Sequence, residues 1–526
     1  MQKSSILAAK KPENLTTNHE GAVAYRITAE QALAQLISVG FLDNKYYTSA
    51  EEQLEMVKKL CSESSPEFVA ACAVYSSEQG MKDMPVVLLG LLRQMSLPLF
   101  KQTFPIVIRD GGRLRTFVGA LRAGQFGSKN LNTVGMNLIE QWFNSRTPLQ
   151  VWRQSVGNNP SLSNVMALAH PAPGTDVERQ AVYTLLRKNK KTENLPQEIK
   201  NYYEFVKDQV NNEMPRAGFM RMKALALTPQ NWIKLSDQMS WTELRMNINL
   251  LEKNKVLDNP EALAKIVTKL TNPEEVKRSR VFPYQIYTSY ENTKHVVLRN
   301  ALQTALDHSV ANVPELPGNV VLAVDVSYSM TAPVNGNTIK NKNSKTPNNP
   351  MTCARVAAIM AMAFYKKNPT AKVYTFDSSP VEYTSRLNSH DSIVTNMDKL
   401  KFTSGGTDIA CTMNAVLGKQ QPVDYMIIFS DYENNDQYKE KGGTASALAW
   451  KKIKSKNPNA RLIMIDLMGA RTAQVPIEDK DTLYISGFSD GLFSAVKNWM
   501  ALQNTDYLRE IQRVASSKLG ILEVLK

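Results

Sequence analysis

The feature that most constrains this chain is a change in the period of its apolar residues near position 313. From about Glu30 to Leu306 they recur at helical spacing, as in Ala32-Leu33-Leu36-Ile37, Leu54-Met56-Val57-Leu60 and Phe68-Val69-Cys72-Ala73. Breaks fall at Ser65-Pro66, Met84-Pro85, Gly111-Gly112, Thr147-Pro148, Pro171, Pro215, Asn259-Pro260 and Asn272-Pro273. After the linker-like Val313-Pro314-Glu315-Leu316-Pro317-Gly318, short β-rich runs take over at 320–326, 372–376, 425–429, 462–467 and 483–485. Helical patterns at 352–366, 409–417, 445–453 and 492–502 separate them. Strand and helix in alternation predict a mostly parallel, doubly wound α/β sheet of Rossmann-like type. Such sheets bind ligands at the carboxyl ends of their strands.

The expectation is therefore a multidomain chain: an all-α module over 1–312, a linker at 313–318, and an α/β domain with a C-terminal helical tail over 319–526. A length of 526 residues also exceeds what one hydrophobic core supports. The helical pairs return at roughly 40 residues, the spacing of HEAT and armadillo-type solenoids. No apolar run is long enough to span a membrane, and the opening M-Q-K-S-S-I-L-A-A-K-K has no signal-peptide core. A cytoplasmic location is expected, with no membrane partner. Cys61, Cys72, Cys353 and Cys411 form no C-x-x-C pair and have no histidine cluster beside them, so they read as small buried hydrophobes.

The formal charge is +14. It is concentrated: residues 101–200 hold 14 Lys and Arg against 6 Asp and Glu, a local +8. Such an excess suits an anionic partner, and a solubilising surface gives the same count.

Directly after the apolar run 320–324 stands D-V-S-Y-S, which puts Asp325, Ser327 and Ser329 at a strand's carboxyl end. T-S-G-G-T-D then offers Thr407 behind two glycines, and the run 425–429 ends in Ser430-Asp431. Three hydroxyls and two carboxylates from three loops are all hard oxygen donors, chemistry suited to one divalent cation, Mg²⁺ or Mn²⁺. Set and order resemble the metal-ion-dependent adhesion site of von Willebrand factor A domains. That resemblance implies Ser327, Ser329 and Thr407 as direct ligands, with Asp325 and Asp431 acting largely through water. Asp377 and Asp408 also lie near element ends, and helix capping accounts for Asp408. The polar stretch 331–350, with Lys340, Lys342 and Lys345, interrupts the first strand-to-helix connection and is expected to be mobile.

The helical part resembles the TROVE module of the Ro autoantigen family. The shared fragments are N-H-E-G-A-V-A-Y at 18–25, F-L-D-N-K-Y-Y at 41–47, P-E-F-V-A-A-C-A-V-Y at 66–75 and K-D-M-P at 82–85. A-L-A-H-P-A-P at 167–173, E-L-R-M-N at 243–247 and K-R-S-R-V-F-P-Y at 277–284 follow in the same order. The resemblance implies a HEAT-like ring closed by the A-type domain. It also implies that single-stranded 3′ ends of defective RNAs enter a basic hole while Y-like small RNAs bind outside. Bacterial relatives are linked to exoribonucleases, so such a partner is conceivable. The chain departs from the pattern at Gly157, where a basic residue is usual, at Pro160 for a tryptophan, at Phe282 for a histidine and at Ala172 for a lysine. These losses bear on the outer-face contacts.

Arg109, Arg113, Arg115, Arg122 and Lys129 form the densest basic run, with Phe117 and Phe126 between them. Cations and aromatics together can pair phosphates and stack bases, and the aromatics can equally be core. Arg153 and His170 match family positions implied to touch RNA, although Pro171 could fix His170 simply as a turn residue. Arg245 and Arg280 either line the hole or pair with acids such as Glu243 and Glu275. The expected function is non-catalytic binding of RNA rather than DNA. The alternative is a metal-dependent protein-binding scaffold. A hydrolase is disfavoured, because there is no H-E-x-x-H, nucleophile elbow or phosphate loop.

Overall fold

A computed structural model describes residues 14–39, 49–127, 129–334, 351–435, 443–487, 491–502 and 506–520. The expected mobile loop falls mostly outside them, including Lys340, Lys342 and Lys345, as does the fragment 41–47.

Most of the sequence breaks are helix starts. In the helices α1 (Ala29–Val39), α2 (Ala50–Ser62) and α3 (Pro66–Glu78), Ser49 and Ser65 cap the second and third, and Pro66 takes the first turn, where its missing N–H costs nothing. The series continues with α4 (Met84–Met95), α5 (Leu97–Val107), α6 (Gly111–Arg122), α7 (Thr133–Asn144), α8 (Pro148–Gln154) and α9 (Leu162–Ala169), and runs on to the helix Val296–Ser309. Thr147, Asn259 and Asn272 cap helices that open on Pro148, Pro260 and Pro273. Every residue of α3 from Phe68 to Ser77 is buried, so other elements enclose this helix on all sides.

The α/β domain follows the expected alternation closely. A six-stranded sheet has the order β5-β4-β3-β6-β7-β9: β3 (Val320–Asp325), β4 (Lys372–Phe376), β5 (Pro380–Glu382), β6 (Tyr425–Ser430), β7 (Arg461–Asp466) and β9 (Thr482–Ser486). All pairings are parallel except that of the edge strand β5. Every residue of β3 and β6 is buried, as helices on both faces of a parallel sheet require. Since β3 lies between β4 and β6, the winding reverses there, and a crevice opens beyond the carboxyl ends of β3 and β6.

Two elements were not legible in the sequence. A short hairpin, β1 (Leu15–Thr17) and β2 (Val23–Arg26), pairs with β8 (Thr472–Ala473) of the α/β domain. At the other end of the chain, the helix Tyr507–Leu519 packs on α3. Each terminus thus belongs spatially to the opposite module. The helical run also meets its own beginning, because Arg280 donates from Nη1 to Glu78 Oε2 at 3.2 Å. All four cysteines are buried and free. No helix among the described residues is long and apolar enough to cross a membrane.

Tyr507 anchors the exchanged helix. It is buried, stands edge-on to Tyr75 at 5.9 Å between ring centroids, and its hydroxyl lies 2.7 Å from Ser38 Oγ. Tyr507→Ala should cost about 3–5 kcal/mol of stability in urea unfolding, and Tyr507→Phe only about 1 kcal/mol. Equal losses would mean that the hydroxyl, and not the ring, holds this helix.

Candidate metal centre and nucleic-acid interface

The three loops that carry the five oxygen donors meet at the crevice. Asp325 ends β3 and accepts the Ser327 N–H at 2.9 Å through Oδ1, while its Oδ2 takes the Ser430 hydroxyl at 2.5 Å. Ser327 Oγ and Ser329 Oγ are 3.3 Å apart. Two backbone bonds lash the loop carrying Thr407 to this turn: Tyr328 N–H to Gly405 O and Ser404 N–H to Val326 O, each 2.9 Å. A Cβ at Gly405 would stand 2.6 Å from Asp377 Oδ2, so any larger residue would have to displace that carboxylate. Thr407 N–H donates to Asn435 Oδ1 at 2.9 Å, and Asn435 N–H returns a bond to Thr407 O at 3.1 Å. Asp431 Oδ1 accepts the Glu433 N–H at 3.1 Å, and Asp431 Oδ2 has no partner among the described residues.

Asp325, Ser327, Ser329, Thr407 and Asp431 are each at most 5% exposed. Burial and then the Asp431 charge push Asp325 up to about 7, and burial likewise raises Asp431. Two further acids were missed from sequence. Glu433 is pushed up to about 8, by burial and then by Asp431. Asp466, at the end of β7, is pushed up to about 7 by burial, against bonds from the N–H groups of Met468, Gly469 and Ala470. Motif spacing does not reveal Asp466, because the fold alone brings β7 beside β6, and Glu433 lies outside the motif although it follows Asp431 by two residues. Buried anions with an orphaned carboxylate oxygen beside paired hydroxyls are a donor set that a hard divalent cation fits.

The basic candidates divide by what their guanidinium groups touch. Arg113 gives Nη1 to Ser77 Oγ and Val107 O and Nη2 to Met81 O, and burial lowers its pKa. Arg109 also bonds Ser77 and pairs with Glu78, the same acid that Arg280 reaches. Arg109, Arg113 and Arg280 thus meet around the end of α3. Arg245 donates to Gln285 O and Ser289 Oγ, both at 2.8 Å, and burial lowers it to about 10. Neither Glu243 nor Glu275 is the partner of Arg245 or Arg280: Glu243 caps its own helix and Glu275 pairs with Arg278. Arg115 bonds Gln154 O at 2.9 Å.

Arg122, Lys129, Arg153 and His170 are exposed and make no ion pair among the described residues. Arg153 borders a cleft of about 400 Å³ with Arg216, Phe219, Asp237 and Glu243. His170 caps α9 in the left-handed conformation, φ 45°. Phe117 and Phe126 are fully buried in a stack with Phe100 and are core, not base platforms. Asp408 is not the cap expected of it: the helix Ala410–Gly418 has Ile409 at its N-cap, and Asp408, one residue earlier, accepts the Ala410 N–H at 2.9 Å in a local turn.

Residues 319–500 match the family model of the Ro60 vWA domain. The fold is similar to the crystal structure of the Ro (RSR) protein of Deinococcus radiodurans, with a TM-score of 0.59 and 17% identity over 93% of this chain and 100% of that one. At that identity the likeness concerns the fold.

Two outcomes are expected. Arg113→Ala should lower stability by about 2–4 kcal/mol, since it strands buried carbonyls, whereas Arg122→Ala should be nearly neutral; equal effects would contradict the division above. The second concerns pH. Asp325, Glu433 and Asp466 bind their protons more tightly folded than unfolded, so their contribution to stability is present below about pH 4 and is lost as pH rises toward about 8. In EDTA, stability measured from pH 5 to pH 8 should therefore fall more in the wild type than in Asp431→Asn, which lacks the charge acting on all three. Parallel profiles would refute the repulsion.

Proposed function

We propose that this is a non-catalytic RNA-binding protein, a reading supported by the match of residues 319–500 to the Ro60 vWA domain model and by the likeness of the fold to that of the Ro (RSR) protein. Its ligands are small Y-like RNAs and the single-stranded ends of structured or defective RNAs, and its setting is RNA quality control or decay. The observation that carries this reading is the set of exposed basic side chains that have no acid partner among the described residues, Arg122, Lys129 and Arg153 with His170, within the segment of highest local charge. Cations that are not neutralised by the protein remain available to phosphate. Arg113 and Arg245 support the scaffold instead, and Arg115 stands between the two groups.

The A-type domain holds one Mg²⁺ or Mn²⁺ through Ser327, Ser329 and Thr407, with Asp325 and Asp431 behind them. The ion offsets the buried acids and serves structure and partner binding rather than chemistry. An exoribonuclease is a fitting protein partner. The reading of the chain as a metal-dependent protein scaffold draws support from one feature, a cavity of about 530 Å³ that reaches Asp431.

Fluorescence anisotropy with single-stranded RNA tests the main reading. Affinity should fall with salt by a log–log slope of about −0.7 per phosphate neutralised. Arg122→Ala with Lys129→Ala should weaken all RNAs and flatten that slope by roughly one to two phosphates' worth. His170→Ala should instead change the preference among RNAs, because a ring face or nitrogen selects more than it attracts. Binding that ignores salt and all three changes would leave the scaffold reading ahead.

A further inference from the structure

The loop that carries Asp431 does more than present a carboxylate. Its residues 430–435 touch every part of the metal edge: Ser430 bonds Asp325, and Asn435 bonds Thr407 in both directions. Its outer side holds the N-terminal hairpin. Glu433 N–H donates to Asp431 Oδ1, and Glu433 Oε2 accepts the His19 N–H at 2.8 Å. Next to it, Asn434 O accepts from Asn18 Nδ2 at 2.7 Å, and Asn18 Oδ1 in turn closes the β1–β2 turn on the Ala22 N–H at 2.9 Å.

The hairpin is not a free appendage. Beyond its pairing with β8, Arg471 beside that strand donates its N–H to Gln35 Oε1 of α1 at 2.9 Å. Loop 430–435, the hairpin and α1 therefore form one seam between the A-type domain and the start of the helical run. The cavity that reaches Asp431 lies in this seam, lined among others by His19, Glu52, Lys59, Glu433 and Arg471. Tyr432, in the middle of the loop, is fully buried in the left-handed conformation at φ 59°, and Gln474 Nε2 fixes its carbonyl at 3.0 Å. A tyrosine held there has little freedom to adjust, so a shift of Asp431 is passed to Glu433 and Asn434 instead of being absorbed.

We propose that loop 430–435 couples the metal edge to the seam: an ion drawn to Asp431 fixes the loop, and the loop in turn clamps the N-terminal hairpin through Glu433 and Asn434. Glu433 is the positioning residue of this clasp, acting through His19 and not on the ion. The inference rests on the metal reading given above. By linkage, a seam that tightens when the ion binds also holds the ion more tightly when closed.

The test uses the full chain and Mn²⁺ alone as the probe. Ion binding is read from loss of the free Mn²⁺ paramagnetic resonance signal, and the seam from hydrogen–deuterium exchange of peptides spanning 15–26, with α7 as the internal reference. In the wild type, Mn²⁺ should slow exchange of 15–26 on the order of fivefold or more while α7 is unchanged. Glu433→Ala should still bind Mn²⁺, weakened by no more than that factor, and its hairpin should no longer respond; Asn18→Ala should respond less than the wild type. Mn²⁺ binding with no change at 15–26 overturns the coupling and leaves the metal reading intact. A full hairpin response in Glu433→Ala overturns the role of Glu433. Absence of Mn²⁺ binding overturns the metal reading and the coupling together. Should Glu433→Ala fail to fold, the wild-type comparison with and without the ion decides by itself.

Discussion

Asp325, Asp431, Glu433 and Asp466 are held out of water within one cluster of loops, and much of the α/β domain is arranged to offset that burial. Like charges in a low-dielectric crevice repel, and each of these carboxylates is raised above its ordinary range. The sheet meets the cost partly with oriented dipoles: three successive N–H groups face Asp466, and one each faces Asp325, Asp431 and Glu433. Among the described residues, the N–H donated to Glu433 comes from His19, in the N-terminal segment. Neutralising the crevice and joining the two modules are therefore parts of a single arrangement.

The exchange of termini follows the same logic. A two-stranded ribbon as short as β1–β2 has no stability of its own in water. It persists because β8 supplies a third strand and loop 430–435 closes its turn. The C-terminal helix likewise buries one face on α3, which without that cover would expose part of an apolar helix. The helical run and the A-type domain thus brace each other at two separated places, while Arg280 reaching back to Glu78 ties the helical run to its own beginning. Ordered contacts of this kind let a change at one loop travel to another module through packed and hydrogen-bonded groups.

Elements whose signal lies in their own residues were legible in the sequence. The five apolar runs became β3, β4, β6, β7 and β9 within a residue at each end, because a strand buried on both faces must be apolar throughout. D-V-S-Y-S could be placed because the run before it fixed where the strand ends. Asp466 was invisible for the opposite reason: it joins the cluster through strand order, which single residues do not encode, while Glu433, two residues after Asp431, is turned inward by a left-handed Tyr432 that no motif announces. The four residues of β2 are too few to show a period. Arginine was the least legible. Charge density correctly located a basic segment, but it does not distinguish a guanidinium spent on Ser77, Val107 and Met81 from one left in water.

That division also bears on the departure at position 157. Gly157 has φ 118°, and a Cβ there would stand 2.7 Å from Arg115 Nη2. Only glycine fits that backbone and that contact. A guanidinium from α6 therefore occupies the space where a side chain at 157 would begin, next to the exposed Arg153 of α8. This part of the surface carries a positive charge supplied by Arg115 of α6 and held by Gln154 O. A helix-borne, half-buried arginine is a more rigid donor than a loop residue and loses less freedom when it meets a phosphate. Read one position at a time, Gly157 marks only a missing side chain, whereas the fold sets the Arg115 guanidinium of α6 against that loop residue.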